Sequence, residues 1–290
     1  MFREIQTYFE GRQYLTAAVL KELVSDAEHY RKWESFEGWE DSREALYHSR
    51  RRSMDLGAIR PVLLRLNNIA LEQSERNRSF DVLESYVIRR LITGYQARSY
   101  DAVAMDLLKA LPSRAGTGVS PSEILLRELL SYTGSGTWWP EDVSLEDATL
   151  ARQMPRYVQR LALSAIELQL TSPMASKKPD IANLHVEHIT PQGWTESNWP
   201  LPDSSDNEVA RHERDTLIQS LGNLTLLNGR LNAAVSNSSW AIKRERFEKH
   251  ENLFLTRKLL SDAGESWTED DIVSRGEYMY NPLKEIWPRG

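Results

Sequence analysis

A chain of 290 residues, 40% hydrophobic and 27% charged, has the composition of a folded globular protein and the length for one large or two modest domains. It has no cysteine, which excludes disulfides and thiolate zinc sites, and no apolar run long enough to cross a bilayer. The formal net charge of -6 is unlike that of a simple nucleic-acid binder, so any phosphate contact has to come from local basic clusters or from another domain.

The N-terminal MFREIQTYFEGR places charges where a signal peptide needs its apolar core, so a cytoplasmic location and no membrane partner are expected. Leu15 to Tyr30 carries Val19, Leu20, Leu23, Val24 and Ala27 at helical spacing, and SFEGWE (35–40) interrupts it. The densest basic cluster follows, His48-Ser49-Arg50-Arg51-Arg52; a solvated helix face accounts for it better than a phosphate-binding patch. Arg60-Pro61 opens a helix through Glu72, and Ser74 to Arg78 reads as a polar break. Phe80 to Tyr95 is amphipathic, with Val82, Leu83, Tyr86, Val87 and Leu91 on one stripe, Arg89 and Arg90 mostly off it, and Gly94 at its end. Tyr100 to Leu111 predicts a further helix, SRAGTGVSP (113–121) a loop, and Pro121-Ser122-Glu123 the next helix start. Trp138 and Trp139 are expected as buried anchors rather than platforms for bases. Arg156 to Leu170 is the last helix before Thr171 to Asn183, whose Pro, Ser and Lys content marks a linker. The expected division is a helical subdomain, 1–175, and a second domain, 176–290.

That second part is organised around Leu184 to Gln192, LHVEHITPQ, a β-prone run with Glu187 beside His188, stopped by Pro191. Gly222-Asn223 opens a second short apolar run, and Asn228 to Val235 reads as a helix start carrying Asn232. An acid–His pair on one strand, an Asn opening the next and an Asn on the following helix form the order of a ββα-metal (HNH, His-Me finger) nuclease site. A neutral imidazole suits a base that activates water for phosphodiester hydrolysis. The ligands offered, the Glu187 carboxylate and the Asn232 amide, are oxygens, which favours Mg²⁺ or Mn²⁺ over zinc. Asn223 is expected to hydrogen-bond backbone across the hairpin and hold His188 in place. Strand neighbours point to opposite faces, so Glu187 and His188 must lie at a strand end or bulge. His185 shares the parity of Glu187 and competes as ligand, as Asn228 and Asn237 compete with Asn232. The helix after Ser238-Ser239, WAIKRERFEKHENLFLTRK, supplies Lys243, Arg244 and Arg246 as expected contacts to a DNA backbone; an ordinary charged helix accounts for them equally well.

VEHITPQ, SLGNLTLLNGRLNAAVSNSSWAIKRERF, SWTEDDIVSRGEYMY and IWP together resemble the C-terminal nuclease domain of GmrSD-type, modification-dependent restriction enzymes and of SspE-like phage-defence proteins. The similarity covers about residues 155 to 290, and RNRSFDVLESYVIRRLITGY resembles the helical region preceding that domain. It implies a mainly α protein, a helical subdomain followed by a ββα-metal nuclease domain extended by helices. The implied activity is divalent-metal-dependent endonuclease or nickase action on double-stranded DNA, leaving 5′-phosphate and 3′-hydroxyl ends. By position, His188 matches the general base, Glu187 the metal-side acid, Asn223 the middle Asn and Asn232 the final metal ligand; Lys243 matches a basic position. Family members carry an N-terminal nucleotide-hydrolysing or modification-sensing domain that nothing here resembles, so a C-terminal fragment of a longer defence protein is expected. Cutting both strands would require a homodimer or repeated nicking. The rival readings are a catalytically silent DNA- or protein-binding module and a zinc hydrolase built on His185 and His188. The second lacks the helical HExxH pattern.

Overall fold

The computed structural model describes residues 16–36, 42–52, 57–69, 72–95, 99–112, 118, 120–171, 179, 181–201, 207–250 and 252–290. Most of the expected loop 113–121 and most of the expected linker 171–183 lie outside these residues. The protein is mainly helical. Two compact units are built from Met1–Phe80 with Asp101–Ile124, and from Asp81–Tyr100 with Leu125–Gly290. The division expected at 175 falls inside the second unit, because the helices just upstream pack against its strands and its last helix.

In the first unit, α1 (Thr16–Ser35), α2 (Arg43–Arg52) and α3 (Arg60–Asn68) surround an aromatic cluster. Trp33 stacks on His48 with ring centroids 4.5 Å apart, and Tyr47 stacks on Phe80 at 5.0 Å. Two members of the basic cluster are therefore not on a solvated face: His48 is buried, and Arg51 is buried with its guanidinium 2.9 Å from Glu34. Conversely, Leu20, Leu23 and Val24, which fall at helical spacing, are exposed.

Helix α4 (Gln73–Thr93) begins earlier than expected, since Ser74 to Arg78 are helical; polar residues on an exposed turn cost little helix propensity. It is followed by α5 (Tyr100–Ala110), α6 (Pro121–Leu130), α7 (Asp142–Ala151) and α8 (Arg156–Leu170). Arg89 and Arg90, placed off the apolar stripe by periodicity, are both fully buried. Arg89 donates to the carbonyls of Trp287 and Pro140 and to Asp142 at 2.7 Å, while Arg90 donates to the Trp138 and Gly136 carbonyls at 2.6 and 2.8 Å. Loop carbonyls removed from water need donors, and the guanidinium fork supplies several at once. Trp139 is the buried anchor its sequence position implied.

The second unit continues with β1 (Leu184–His188), α9 (Asn207–Leu217), β2 (Leu224–Asn228), α10 (Gly229–Val235), α11 (Trp240–His250), α12 (Phe254–Asp262) and α13 (Glu269–Ile286). The strands pair antiparallel, Leu184 opposite Asn228 through to His188 opposite Leu224. With no cysteine to brace it, the hairpin is held by packing: Ile189, Trp199, Leu227, Leu231, Val235, Trp240, Phe247, Leu259, Trp267 and Ile272 form one core. Burying so many large apolar side chains is the main stabilising term available to a hairpin without disulfide struts. The stretch read as one helix after Ser239 is two, α11 and α12. The buried Glu167 carboxylate on α8 accepts from the first free amides of α12, Phe254 N at 2.8 Å and Leu255 N at 2.9 Å. Helix α13, opened by a Thr268–Asp271 capping box, lies across the 3-10 turn Leu221–Asn223 that precedes β2.

Candidate functional site

The register of β1 with β2 is unbroken, so there is no bulge at Glu187; the acid–His pair sits at a strand end instead. His188 is the last residue of β1, Ile189 N continues the pairing to Asn223 O at 2.8 Å, and the chain then bends at Thr190. Regular alternation turns Glu187 and His188 to opposite faces. One side chain reaches both: Lys243 from α11 donates to Glu187 Oε1 at 2.7 Å and to the His188 carbonyl at 2.6 Å.

The His188 Nε2 atom is buried and has no hydrogen-bond partner among the described residues. Burial, with the positive charges of Lys243 and Arg156 beside it, pushes the imidazole down to about 4, so it stays neutral near physiological pH. Arg156, at the start of α8, donates to the Val186 carbonyl at 2.8 Å and is exposed. A neutral imidazole with a free nitrogen, flanked by two cations, can accept a proton next to an anion.

Asn223 is buried and fully engaged. Its Oδ1 accepts from Thr190 N at 2.9 Å and from Trp267 Nε1 at 3.3 Å; its Nδ2 donates to Thr190 O at 2.8 Å and Ile218 O at 3.1 Å. This is a brace for the bend just after His188, with no atom left for substrate. Asn223→Ala should strand buried backbone groups and lower stability by about 3 kcal/mol, read as a lower urea midpoint with unchanged slope.

Asn232 lies on α10, which packs on both strands, and its Oδ1 is buried without a partner among the described residues. Its two competitors differ. Asn228 caps α10, accepting from Leu231 N at 2.9 Å, and Asn237 is exposed. His185 is exposed and lies over Gly229, where an added Cβ would meet its Nε2 at 3.3 Å; it faces away from His188 by strand parity. Among the described residues no three His, Asp or Glu side chains gather as a metal cluster.

Of the expected DNA contacts, Lys243 needs correction. Lys243 is fully buried and ion-paired, so it cannot meet a phosphate from that position. Arg244 and Arg246 are half-buried ties, the first to Glu248 at 3.0 Å and the Ala263 carbonyl at 3.0 Å, the second to the Ala234 carbonyl at 2.8 Å. Sequence reasoning missed Arg156 and the inward role of Lys243. For Lys243 a signal existed: Trp240, Lys243 and Phe247 share the buried stripe of α11, so the lysine occupies a core position and needs a carboxylate partner.

Residues 139–281 match the family model of the C-terminal domain of GmrSD restriction endonucleases. That stretch of the chain is similar to this family. No curated protein matches the chain. The matched stretch runs from Trp139 into α13 and takes in Glu187, His188, Asn223, Asn232 and Lys243 together with Arg156.

Proposed function

We propose that this GmrSD-like domain is a metal-dependent DNA endonuclease of the HNH type, nicking one strand per site in restriction or phage defence. The observation that carries this reading is the neutral, partner-free Nε2 of His188, held beside Glu187 and flanked by Lys243 and Arg156. His188 takes the proton from the attacking water as its oxygen bonds to phosphorus. The bond to the 3′ oxygen breaks and that oxygen takes a proton from solvent water, leaving 5′-phosphate and 3′-hydroxyl ends. Arg156, exposed and close enough to act on the imidazole, offers its remaining N–H groups to the phosphoryl oxygens. Asn223 keeps the bend after His188 from shifting.

The residues present fit a hard cation: the Glu187 carboxylate and the orphaned, buried Asn232 amide oxygen are oxygen donors, so these two would hold Mg²⁺ or Mn²⁺. When bound, the ion supplies charge neutralisation at the phosphate and stabilises the departing alkoxide. The two strands and α10 form the ββα-metal finger. The chemistry belongs to the second unit, including Arg156 on α8, and its partner is an N-terminal sensing or NTPase domain in the cytoplasm. Breaks in double-stranded DNA then require a homodimer or repeated nicking.

Supercoiled plasmid incubated with the chain in Mg²⁺ or Mn²⁺ should convert to open circles. Chelator should stop the conversion, and Asn232→Ala should slow it at least about 100-fold by removing a metal ligand. A folded chain that binds the plasmid but never nicks it is instead a binding module.

A further inference from the structure

Lys243 is an expensive residue, and the scheme above uses it only as a charge beside His188. Its side chain is 0% exposed, on the stripe that α11 buries between Trp240 and Phe247. An ammonium withdrawn from water is tolerated only where its charge and hydrogen bonds are met, and such a pair stabilises a fold no better than apolar residues of the same volume. Stability therefore does not explain why a lysine stands there. Its two partners are more informative: the carboxylate of Glu187 and the main-chain oxygen of His188, the two adjacent residues proposed for the chemistry.

We propose that Lys243 is a positioning residue for the divalent-cation site, acting through both neighbours and setting the affinity of the site by its charge. This rests on the nuclease reading of that site. One cation solves the geometric difficulty of the strand end. It takes Glu187 by the side chain and His188 by the main chain, so two groups that face opposite ways are fixed by one anchor while β1 stays regular. The same ammonium lies against the carboxylate proposed to bind the metal ion and repels that ion. Loss of its charge should tighten cation binding about tenfold or more, because two like charges this close interact strongly away from bulk water. The carboxylate and the His188 peptide, no longer tied, would then hold the ion well but serve the reaction poorly.

The test is calorimetric titration of Mn²⁺ into the folded chain without DNA, alongside plasmid nicking at saturating Mn²⁺. Lys243→Gln keeps N–H donors and drops the charge. Its Mn²⁺ Kd should fall about tenfold while its nicking rate falls about tenfold as well. An unchanged Kd overturns the proposal whatever the rate does. Glu187→Gln should lose Mn²⁺ binding; if it binds as wild type does, the cation-site reading itself fails and takes the role of Lys243 with it. Should Lys243→Gln fail to fold, Lys243→Arg takes its place. Having kept the charge, it should bind Mn²⁺ within about twofold of wild type, and a tenfold tighter Kd there would count against the proposal.

Discussion

His188→Ala should abolish metal-dependent nicking of supercoiled plasmid and leave the fold in place. A general base that contributes the usual factor costs about 10² to 10⁴ in rate when removed, enough to bring a modest nickase to background on the gel timescale. The fold should survive because Nε2 makes no hydrogen bond and the imidazole is neutral, so truncation strands no partner and leaves no buried charge. What holds the strand end is the main chain of His188, which accepts from Lys243 and which alanine retains. The near-ultraviolet spectrum and the melting temperature should therefore stay close to wild type. Nicking undiminished in the variant would remove His188 from the mechanism, and His185, on the other face of β1, is the residue to replace next.

The second large effect is on stability. Gly222→Ala should destabilise the second unit by about 4 kcal/mol or more, seen as a collapsed urea midpoint or as chain lost to aggregation. A Cβ at Gly222 would stand 2.1 Å from the Ile272 carbonyl oxygen and 2.9 Å from Gly276 N, both main-chain atoms of α13. No rotamer relieves a clash with backbone, so the helix would have to lift off the turn. Lifting it would also break the hold of Arg275, which is buried and donates to the Gly222 and Leu224 carbonyls at 2.6 and 2.7 Å. Gly276→Ala makes a control on the same contact from the other side. Its Cβ would meet Leu150 Cδ2 at 2.8 Å, the movable end of a side chain, and the expected loss is about 1 to 2 kcal/mol. Equal midpoints for the two variants would show that the approach of the turn to α13 is not tight.

The hairpin was legible in the sequence because its signals are local. Pro191 stops the first apolar run, Gly-Asn opens the second, and Asn228 three residues ahead of Leu231 is a helix cap by type and position. Arg156 to Leu170 was legible to the residue for the same reason. What stayed hidden is one class of side chain, the long cation turned inward. Arg51, Arg89, Arg90 and Lys243 each carry a charge that hydropathy patterning assigns to solvent, yet each is buried. Most of their partners lie tens of residues away, up to the 198 that separate Arg89 from Trp287. Periodicity carries no information on such pairs. Within the candidate site this decided the outcome: Asn223 was readable as a brace, whereas Lys243 was read as a contact to DNA and is instead tied to the Glu187 carboxylate and the His188 carbonyl.

The brace has a consequence for the order of events during synthesis. Trp267, which completes the hydrogen bonds of Asn223, and α13, which seats Gly222, come after every residue of the proposed cutting centre. A ribosome that has translated through Val235 has made all of its reactive groups and none of the helix that frames them. The centre is therefore assembled last, and a chain broken off between residues 236 and 266 would carry the chemistry of the nuclease without the scaffold that aims it.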